Sequence, residues 1–288
     1  MAKINKYSVQ DLKVQFPNDA ACTTFIFDAL HSRKCSCSGE YRLLDGRRQF
    51  QCSKCRYQIA PTAGTIFHKS STPLSLWFHA IFIFSNAKSG ISAKEMERQL
   101  GVTYKCAYRI LSQIRKALTQ NNDLLSGKVE MDAAYFGGKG DAGKNNEKLS
   151  SVMKNKAPVI TAISRGGNIR AKVAPNVTAK AIARFLEDNV RIKDTKLMTD
   201  AASTYVNVAR GYNRHFVDHH RGEWKRGDVY INSVEAWFSH VKRSITGTYK
   251  VISRKHLQSY LDSFAFHYNN RGNDRQRFEV LLGTLLHA

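Results

Sequence analysis

The spacing of apolar residues predicts that the first 120 residues are mostly helical. "DAACTTFIFDAL" has helical spacing, so residues 1–30 are expected to form a short helical lead-in. Residues 72–120 have the same spacing, and Thr72 with Pro73 resembles an N-cap with proline at the first helical position. The intervening residues 31–70 are rich in Cys, Arg, Gly and Gln, which indicates a separate small module.

From residue 128 the pattern changes to short apolar runs, which predict alternating strands and helices. The predicted strands and hairpin lie in "KVEMDAAYF", "APVITAISRGGNIRAKVA", "TKLMTDAAS" and "RHFVDHH", with a polar, lysine-bearing loop at 137–156. The predicted helices are "TAKAIARFLEDNV", residues 231–246 and, as the last element, residues 254–271. This order is typical of a mixed α/β sheet, and we assign residues 126–288 to that domain.

The charge balance points to a polyanionic partner. The chain has 288 residues with 45 Lys plus Arg against 23 Asp plus Glu, a formal net charge of +22. Nucleic acid is the favoured partner, and an anionic membrane surface is the weaker alternative. The sequence has neither an apolar run of membrane-spanning length nor the apolar stretch of a secretory signal at its start. We therefore expect a cytoplasmic, nucleoid-associated protein.

Four clustered cysteines predict a zinc ribbon in residues 31–70. Cys35 and Cys37 form one close pair and Cys52 and Cys55 another, with a predicted hairpin between them. In a cytoplasmic protein such pairs are better explained by tetrahedral Zn²⁺ than by disulfides. Only the second pair has the usual two-residue spacing, so His31 could replace one member of the first. The alternative is four reduced cysteines in a basic loop.

A helix-turn-helix is expected in "ISAKEMERQLGVTYKCAYRILSQIRKAL", where Gly101 supplies the turn. Its second helix would present four polar or basic side chains to a DNA groove: Thr103, Tyr104, Lys105 and Arg109. The alternative is an ordinary helical hairpin without a DNA contact.

Three carboxylates stand out because they lie in apolar surroundings. Asp132 lies within an apolar strand pattern, Asp200 ends a buried strand, and Glu235 lies on an apolar helix. Burying a carboxylate is costly unless it is paired or binds metal. A hairpin and a helix separate the first two acids, and a strand precedes the third. This layout is typical of a ribonuclease-H-like fold, in which such acids converge on Mg²⁺ and catalyse phosphoryl transfer.

The chain resembles bacterial DDE transposases of insertion sequences, in the zinc-ribbon group called insertion-sequence family 1595. The resemblance covers nearly the whole chain and is carried by "GRRQFQCSKCRYQIAPTAGTIFHKSSTPLSLWF", "GISAKEMERQLGVTYKCAYRIL", "VEMDAAYFGGK", "LMTDAASTY" and "HHRGEWKRGDVYINSVEAWFSHVKRSITGTYKVISRKHLQSYLDSFAFHYNNR". It implies an α/β, ribonuclease-H-like catalytic domain with an N-terminal zinc ribbon and helix-turn-helix.

The resemblance also implies roles for individual residues. Asp132 and Asp200 would be the first two catalytic acids, with Mg²⁺ or Mn²⁺ as their cofactor. The third acid position holds either glutamate or asparagine in this group, followed by a lysine. Here Asn232 and Glu235 are three residues apart on one helix face. We expect Glu235 to be the metal ligand and Asn232 its co-ligand or replacement, with Lys242 as the lysine.

Lys242 follows Glu235 by seven residues, nearly two helical turns, so both lie on one face roughly 10 Å apart. Lys242 would therefore bind the DNA backbone beside the metal, and Arg243 and Lys250 would extend this basic surface. The alternative is a solvated helix face on which the glutamate has no catalytic role.

The implied function is transposition. The protein would bind the terminal inverted repeats of its element, cleave DNA with metal-activated water, and join the freed 3′-hydroxyl to target DNA. Its partner would be double-stranded DNA, bound by a dimer or a larger homo-oligomer. Two alternatives stay open: a non-catalytic, domesticated DNA-binding regulator, and a metal-dependent nuclease without strand transfer.

Overall fold

The structure, a computed structural model, describes residues 6–120, 123–137, 156–206, 208 and 211–288. The chain divides into two compact units: residues 1–118 with 270–288, and residues 119–269. Of the predicted polar loop at 137–156, all but the two end residues fall outside the described ranges. Within those ranges, every helix is too short or too polar to cross a membrane.

The first unit combines helices with a small antiparallel sheet. Its elements are α1 (Val9–Gln15), α2 (Asp19–Leu30), β1 (Tyr41–Leu43), β2 (Phe50–Cys52), β3 (Gln58–Ile59), α3 (Leu74–Asn86), α4 (Ala93–Leu100) and α5 (Tyr104–Ala117), and the C-terminal helix described below. The strands are ordered β1-β2-β3 and lie where the zinc ribbon was predicted. The predicted turn between α4 and α5 is present, because Gly101 adopts φ 66° and ends α4 in the left-handed conformation.

A C-terminal helix, Asp274–Leu286, follows the helix at residues 254–271 that the sequence pattern predicts as the last element. Asn273 caps its first turn by accepting a hydrogen bond from the Gln276 backbone N–H. This helix belongs to the first unit, whereas the predicted α/β domain ran to residue 288. It packs there through Phe278, whose ring centroid lies 5.2 Å from that of Tyr7.

The second unit is a mixed α/β domain. Its elements are β4 (Leu125–Phe136), β5 (Ala157–Ser164), β6 (Ile169–Val173), α6 (Ala179–Asn189), β7 (Val190–Asp200), β8 (Asn213–Val217), α7 (Asn232–Ser244) and α8 (Arg254–Asn269). The strand order is β6-β5-β4-β7-β8. Strands β4, β5 and β6 pair antiparallel, and β4, β7 and β8 pair parallel. This is the predicted ribonuclease-H-like sheet.

Each face of the sheet has its own apolar core. Val129 and Met131 on β4 pack with Phe185 and other residues of α6. Phe136 on β4 and Phe238 on α7 belong to the opposite core, together with residues of α8. Because side chains alternate along a strand, odd-numbered β4 positions face α6 and even-numbered positions face α7 and α8.

Candidate active site

Asp132 and Asp200 lie on the same face of the sheet, the one covered by α7. Asp132 lies four residues before Phe136 on β4, and Asp200 lies two residues after Met198 on β7, so each aspartate faces the same side of the sheet as that apolar residue. Phe136 and Met198 both belong to the apolar core that α7 covers. The parallel strands β4 and β7 are in register at Glu130 and Met198. The two aspartates follow two residues later on strands that lie about 4.8 Å apart. The fold therefore brings these predicted site residues together.

Glu235 joins them from the first turn of α7. Burial raises the pKa of Asp132 to about 7; a hydrogen bond from the Ala133 backbone N–H opposes the rise, and the negative charges of Asp200 and Glu235 add to it. The positive charge of Lys242 acts in the opposite direction. Interactions of this kind require proximity, so three carboxylates from two strands and one helix share one electrostatic site.

The other predicted residues of this region lie on the exposed side of α7 and beyond its end. Asn232, the first residue of α7, is exposed, as are Lys242 and Arg243 near its end. The Lys242 Nζ lies 5.6 Å from the centroid of the Phe136 ring. A π-helical turn follows α7, and the exposed Lys250 comes directly after it with φ 65°.

Glu130 is a site residue that the sequence analysis missed. Its side chain is fully buried, two residues before Asp132. It accepts hydrogen bonds from the Ser233 backbone N–H (2.7 Å), the Ser233 hydroxyl (3.0 Å) and the Val234 backbone N–H (3.4 Å). The N-cap residue of α7, Ile231, has an apolar side chain that cannot accept a hydrogen bond. Glu130 therefore caps the helix that carries Glu235 and fixes it to the strand that carries Asp132.

Arg165 compensates the buried charge of Glu130. Its Nε donates to Glu130 Oε1 at 2.5 Å. The same guanidinium donates to the backbone oxygens of Asp228 (2.7 Å) and Tyr230 (2.8 Å) and lies 3.5 Å from the centroid of the Tyr230 ring. One ion pair thus positions both the first turn of α7 and the segment that leads into it.

Two further polar residues border the carboxylates. Thr161 on β5 is opposite Asp132 in the register, and its buried hydroxyl has no hydrogen-bond partner among the described residues. Tyr205 is buried; desolvation raises the pKa of its hydroxyl, and the charges of Asp132 and Asp200 raise it further. Tyr205 follows Asp200 by five residues, whereas the position of Thr161 opposite Asp132 is known only from the strand register.

The four cysteines of the ribbon form a compact cluster. The Sγ atoms of Cys35, Cys37, Cys52 and Cys55 all lie within 4.8 Å of one another. Sγ–Sγ distances are 3.7 Å for Cys35–Cys55 and 3.4 Å for Cys37–Cys52. Tetrahedral Zn²⁺ with Zn–S bonds of about 2.3 Å requires edges of about 3.8 Å, so these thiols fit zinc. His31 is not part of the cluster. Among the described residues, this is the one group of three or more His, Cys, Asp or Glu side chains whose ligand atoms lie so close together.

The predicted DNA-binding residues lie at the start of α5. Thr103 is its N-cap and accepts a hydrogen bond from the Cys106 backbone N–H at 3.3 Å. Tyr104 and Lys105 are exposed in the first turn. Tyr104 stacks on the exposed Tyr108, with ring centroids 6.2 Å apart, which extends the aromatic surface.

Arg109 has a structural contact that the sequence did not reveal. It is exposed, but its Nη2 donates to the hydroxyls of Thr72 (2.8 Å) and Ser70 (3.3 Å). Its guanidinium is thereby held over the start of α3, so only part of its donor capacity is open to another partner.

Comparisons with known proteins identify relatives among mobile elements. A protein of the transposable element ISH50 of Halobacterium salinarum, itself uncharacterized, is 25% identical over 238 residues, which cover 78% of this chain and 79% of that protein.

Solved structures give weaker matches. The catalytic core domain of BIV integrase matches with 14% identity and a TM-score of 0.34, over 55% of this chain and 94% of that chain. The Mos1 strand transfer complex matches with 10% identity and a TM-score of 0.31, over 72% and 74%. These TM-scores are too low to support a fold assignment, which depends instead on the strand order and register described above.

The family of the chain follows from its central segment. The model of the ISXO2-like transposase domain matches residues 124–269, the segment that holds the whole five-stranded sheet and helices α6 to α8. The match spans 146 of the 288 residues, just over half of the chain. The chain therefore belongs to the family of ISXO2-like transposases.

Proposed function

We propose that this protein cleaves DNA at the ends of its own insertion sequence and joins the freed 3′-hydroxyl to target DNA. Membership of a transposase family supports an enzyme of the polynucleotidyl transferase kind. The observation that carries the proposal is the convergence of Asp132, Asp200 and Glu235 on one face of the sheet.

The donor set of this site fits Mg²⁺ or Mn²⁺. Carboxylate oxygens are the ligands that these ions prefer, and a cation relieves the mutual repulsion of three carboxylates. When bound, the ions would lower the pKa of the attacking water and stabilise the leaving oxygen. Two-ion sites hold their ions about 4 Å apart, so the acids need not all reach a single ion.

The protein groups divide the remaining tasks. Asp132 is central, since the charges of both other acids act on it. Glu235 is the stronger candidate for the third acid, because a carboxylate binds a hard cation better than the Asn232 amide, which serves as co-ligand or replacement. The exposed Lys242, with Arg243 and Lys250 beyond it, would bind the phosphates of the transposon end.

The first unit would recognise the terminal repeats. The cysteine cluster would bind Zn²⁺ and so supply folding energy that three short strands lack. Tyr104 and Lys105 would enter a DNA groove from the start of α5, supported by Thr103 and by the remaining donors of Arg109. The net charge of +22 favours binding of double-stranded DNA. The DNA-bound form would be a dimer or a larger homo-oligomer.

Strand cleavage tests the proposal. Asp132→Ala and Asp200→Ala should bind a duplex carrying the element's end as tightly as wild type but fail to nick it in Mg²⁺. Asp188→Ala, which removes an exposed acid paired with Lys172, is the matched control and should cleave normally. Full nicking by Asp200→Ala would refute the assignment. Cleavage products without strand transfer would indicate a nuclease. DNA binding without cleavage by the wild-type protein would indicate a regulator.

A further inference from the structure

An exposed tryptophan lies beside the candidate active site. Of the three tryptophans in the sequence, Trp77 and Trp237 are 0% and 4% exposed, whereas Trp224 is 61% exposed. Trp224 lies in the segment between β8 and α7. Single exposed apolar residues are common on protein surfaces. A large exposed aromatic ring beside a candidate active site instead indicates a binding surface.

The Trp224 indole is connected to a candidate catalytic acid through one side chain. Its ring packs on His219, with centroids 4.4 Å apart and planes inclined by 32°. His219 Nδ1 lies 3.6 Å from Glu235 Oε1. The exposed indole therefore stands one imidazole away from the carboxylate that is proposed to hold metal at the scissile phosphate.

The segment that carries Trp224 is held in place by residues that follow the tryptophan. Arg226 donates to the Phe216 backbone oxygen on β8 and forms an ion pair with Glu223 at 3.0 Å. Asp228 forms ion pairs with Lys196 on β7 at 2.9 Å and with Lys128 on β4 at 3.2 Å. The indole is thus presented from a fixed position, which reduces the conformational entropy lost when it binds a ligand.

We propose that Trp224 stacks an unpaired nucleobase next to the phosphate that is cut, an inference that rests on the function proposed above. An indole face stacks with any base, so the contact requires no particular sequence. A base must leave the duplex to reach it, which is least costly at a strand end or nick. The exposed Arg221 and Lys225 lie three residues before and one residue after Trp224 and supply positive charge for the adjoining phosphates, although Arg221 also pairs with Asp218 at 3.3 Å.

Fluorescence provides a test that does not depend on catalysis. The full-length protein is titrated with a decamer of thymidylate and with a decamer of the same length built from abasic nucleotides, which has the same phosphates but no bases. Because the other two tryptophans are buried, a change in acrylamide quenching reports on Trp224. We expect thymidylate to lower the emission and protect it from acrylamide, with an apparent affinity about tenfold higher than that of the abasic strand.

Variants assign the signal. Trp224→Phe should abolish the emission change, because it removes the reporting indole, and should cleave faster than Trp224→Ala, which should be about tenfold slower than wild type. Tyr57→Ala removes another exposed aromatic ring, in the first unit, and should leave the emission change intact. Equal responses to the two decamers, or no response to thymidylate at saturation, would overturn the inference.

The two proposals fail separately. If wild type cleaves the element's end but cannot distinguish thymidylate from the abasic strand, the stacking role falls and the transposase function stands. If it distinguishes the strands but never cleaves DNA, stacking by Trp224 stands as a property of a DNA-binding protein without this catalysis.

Discussion

At the residue scale, Asp132 lies in an environment unlike that of an ordinary surface acid. Burial and two neighbouring carboxylates place its pKa at about 7, against an ordinary value of 3.8. Such a group is stable in the fold as the neutral acid and unfavourable as the anion, unless a cation is bound beside it.

Asp132→Asn should stabilise the metal-free protein at high pH. The folded-state pKa of Asp132 lies above the unfolded one, so the wild-type free energy of unfolding falls as pH rises from about 4 to about 7. The asparagine variant lacks this loss and should be more stable at pH 8 by at most about 4 kcal/mol, and by only about 1 kcal/mol at pH 4.5. Urea unfolding measures this.

The control for this prediction is Asp188→Asn, in which an exposed acid is neutralised and no pH-dependent gain is expected. An Asp132→Asn protein that is no more stable than wild type at pH 8 would show that the pKa of Asp132 is not raised in the folded protein.

The sequence revealed the acids but not the residues that position them. Asp132, Asp200 and Glu235 could be singled out because each lies within or at the end of an apolar strand or helix pattern. Glu130 lies in the same strand pattern as Asp132, but its partner Ser233 lies 103 positions away, and no local pattern predicts that contact. The role of Glu130 depends on how α7 packs on the sheet, which is tertiary information.

At the element scale, acids from distant elements cap two helices. Thr72 was the predicted N-cap of α3, but that helix begins at Leu74 after Pro73. Asp19 of α2 accepts hydrogen bonds from the Leu74 and Ser75 backbone N–H groups at 3.0 and 2.9 Å. Sequence patterns find caps that come from the preceding residues. They cannot find a cap that another element supplies.

Glu130→Ala should strongly destabilise the second unit. It leaves Arg165 without its anionic partner and exposes the first N–H groups of α7, and loss of one member of a buried pair costs about 3–5 kcal/mol. Glu130→Gln keeps part of the cap and should cost less. Denaturant unfolding provides the measurement, with Glu279→Ala, an exposed acid of the C-terminal helix, as control. A Glu130→Ala effect as small as the control would disprove the capping role.

The zinc ribbon makes a prediction about metal content. The purified chain should contain one zinc ion, and Cys52→Ser should lower the zinc content and the midpoint of thermal unfolding of the first unit. Cys22→Ser, at a buried cysteine outside the cluster, should keep the zinc. Elemental analysis decides the matter: wild-type protein free of zinc when purified without chelators would exclude the ribbon assignment.

At the scale of the whole molecule, the sequence was most informative about the α/β domain. Strand and helix patterns predicted the order of its elements, because β5 and the end of β7 are apolar runs bounded by polar residues. The C-terminal helix was missed, and its place in the first unit could not be predicted, since the chain returns to that unit only after the whole sheet has been formed.

The excess positive charge predicts steep salt dependence of DNA binding. Each phosphate neutralised should add about −0.9 to the slope of log affinity against log salt concentration. Binding of a duplex measured between 50 and 200 mM salt should fall about a thousandfold or more if six or more phosphates are contacted. A flat response would mean that the basic residues do not form the interface.

The central claim is that Asp132, Asp200 and Glu235 form one site for divalent cations. Diffraction from crystals soaked in Mn²⁺, collected at the manganese absorption edge, tests it most directly. The account predicts an anomalous peak bounded by the two aspartates and by Glu235 or Asn232, and no peak there in Asp200→Ala crystals. Manganese bound elsewhere, with these carboxylates empty in a protein that still cleaves DNA, would contradict it.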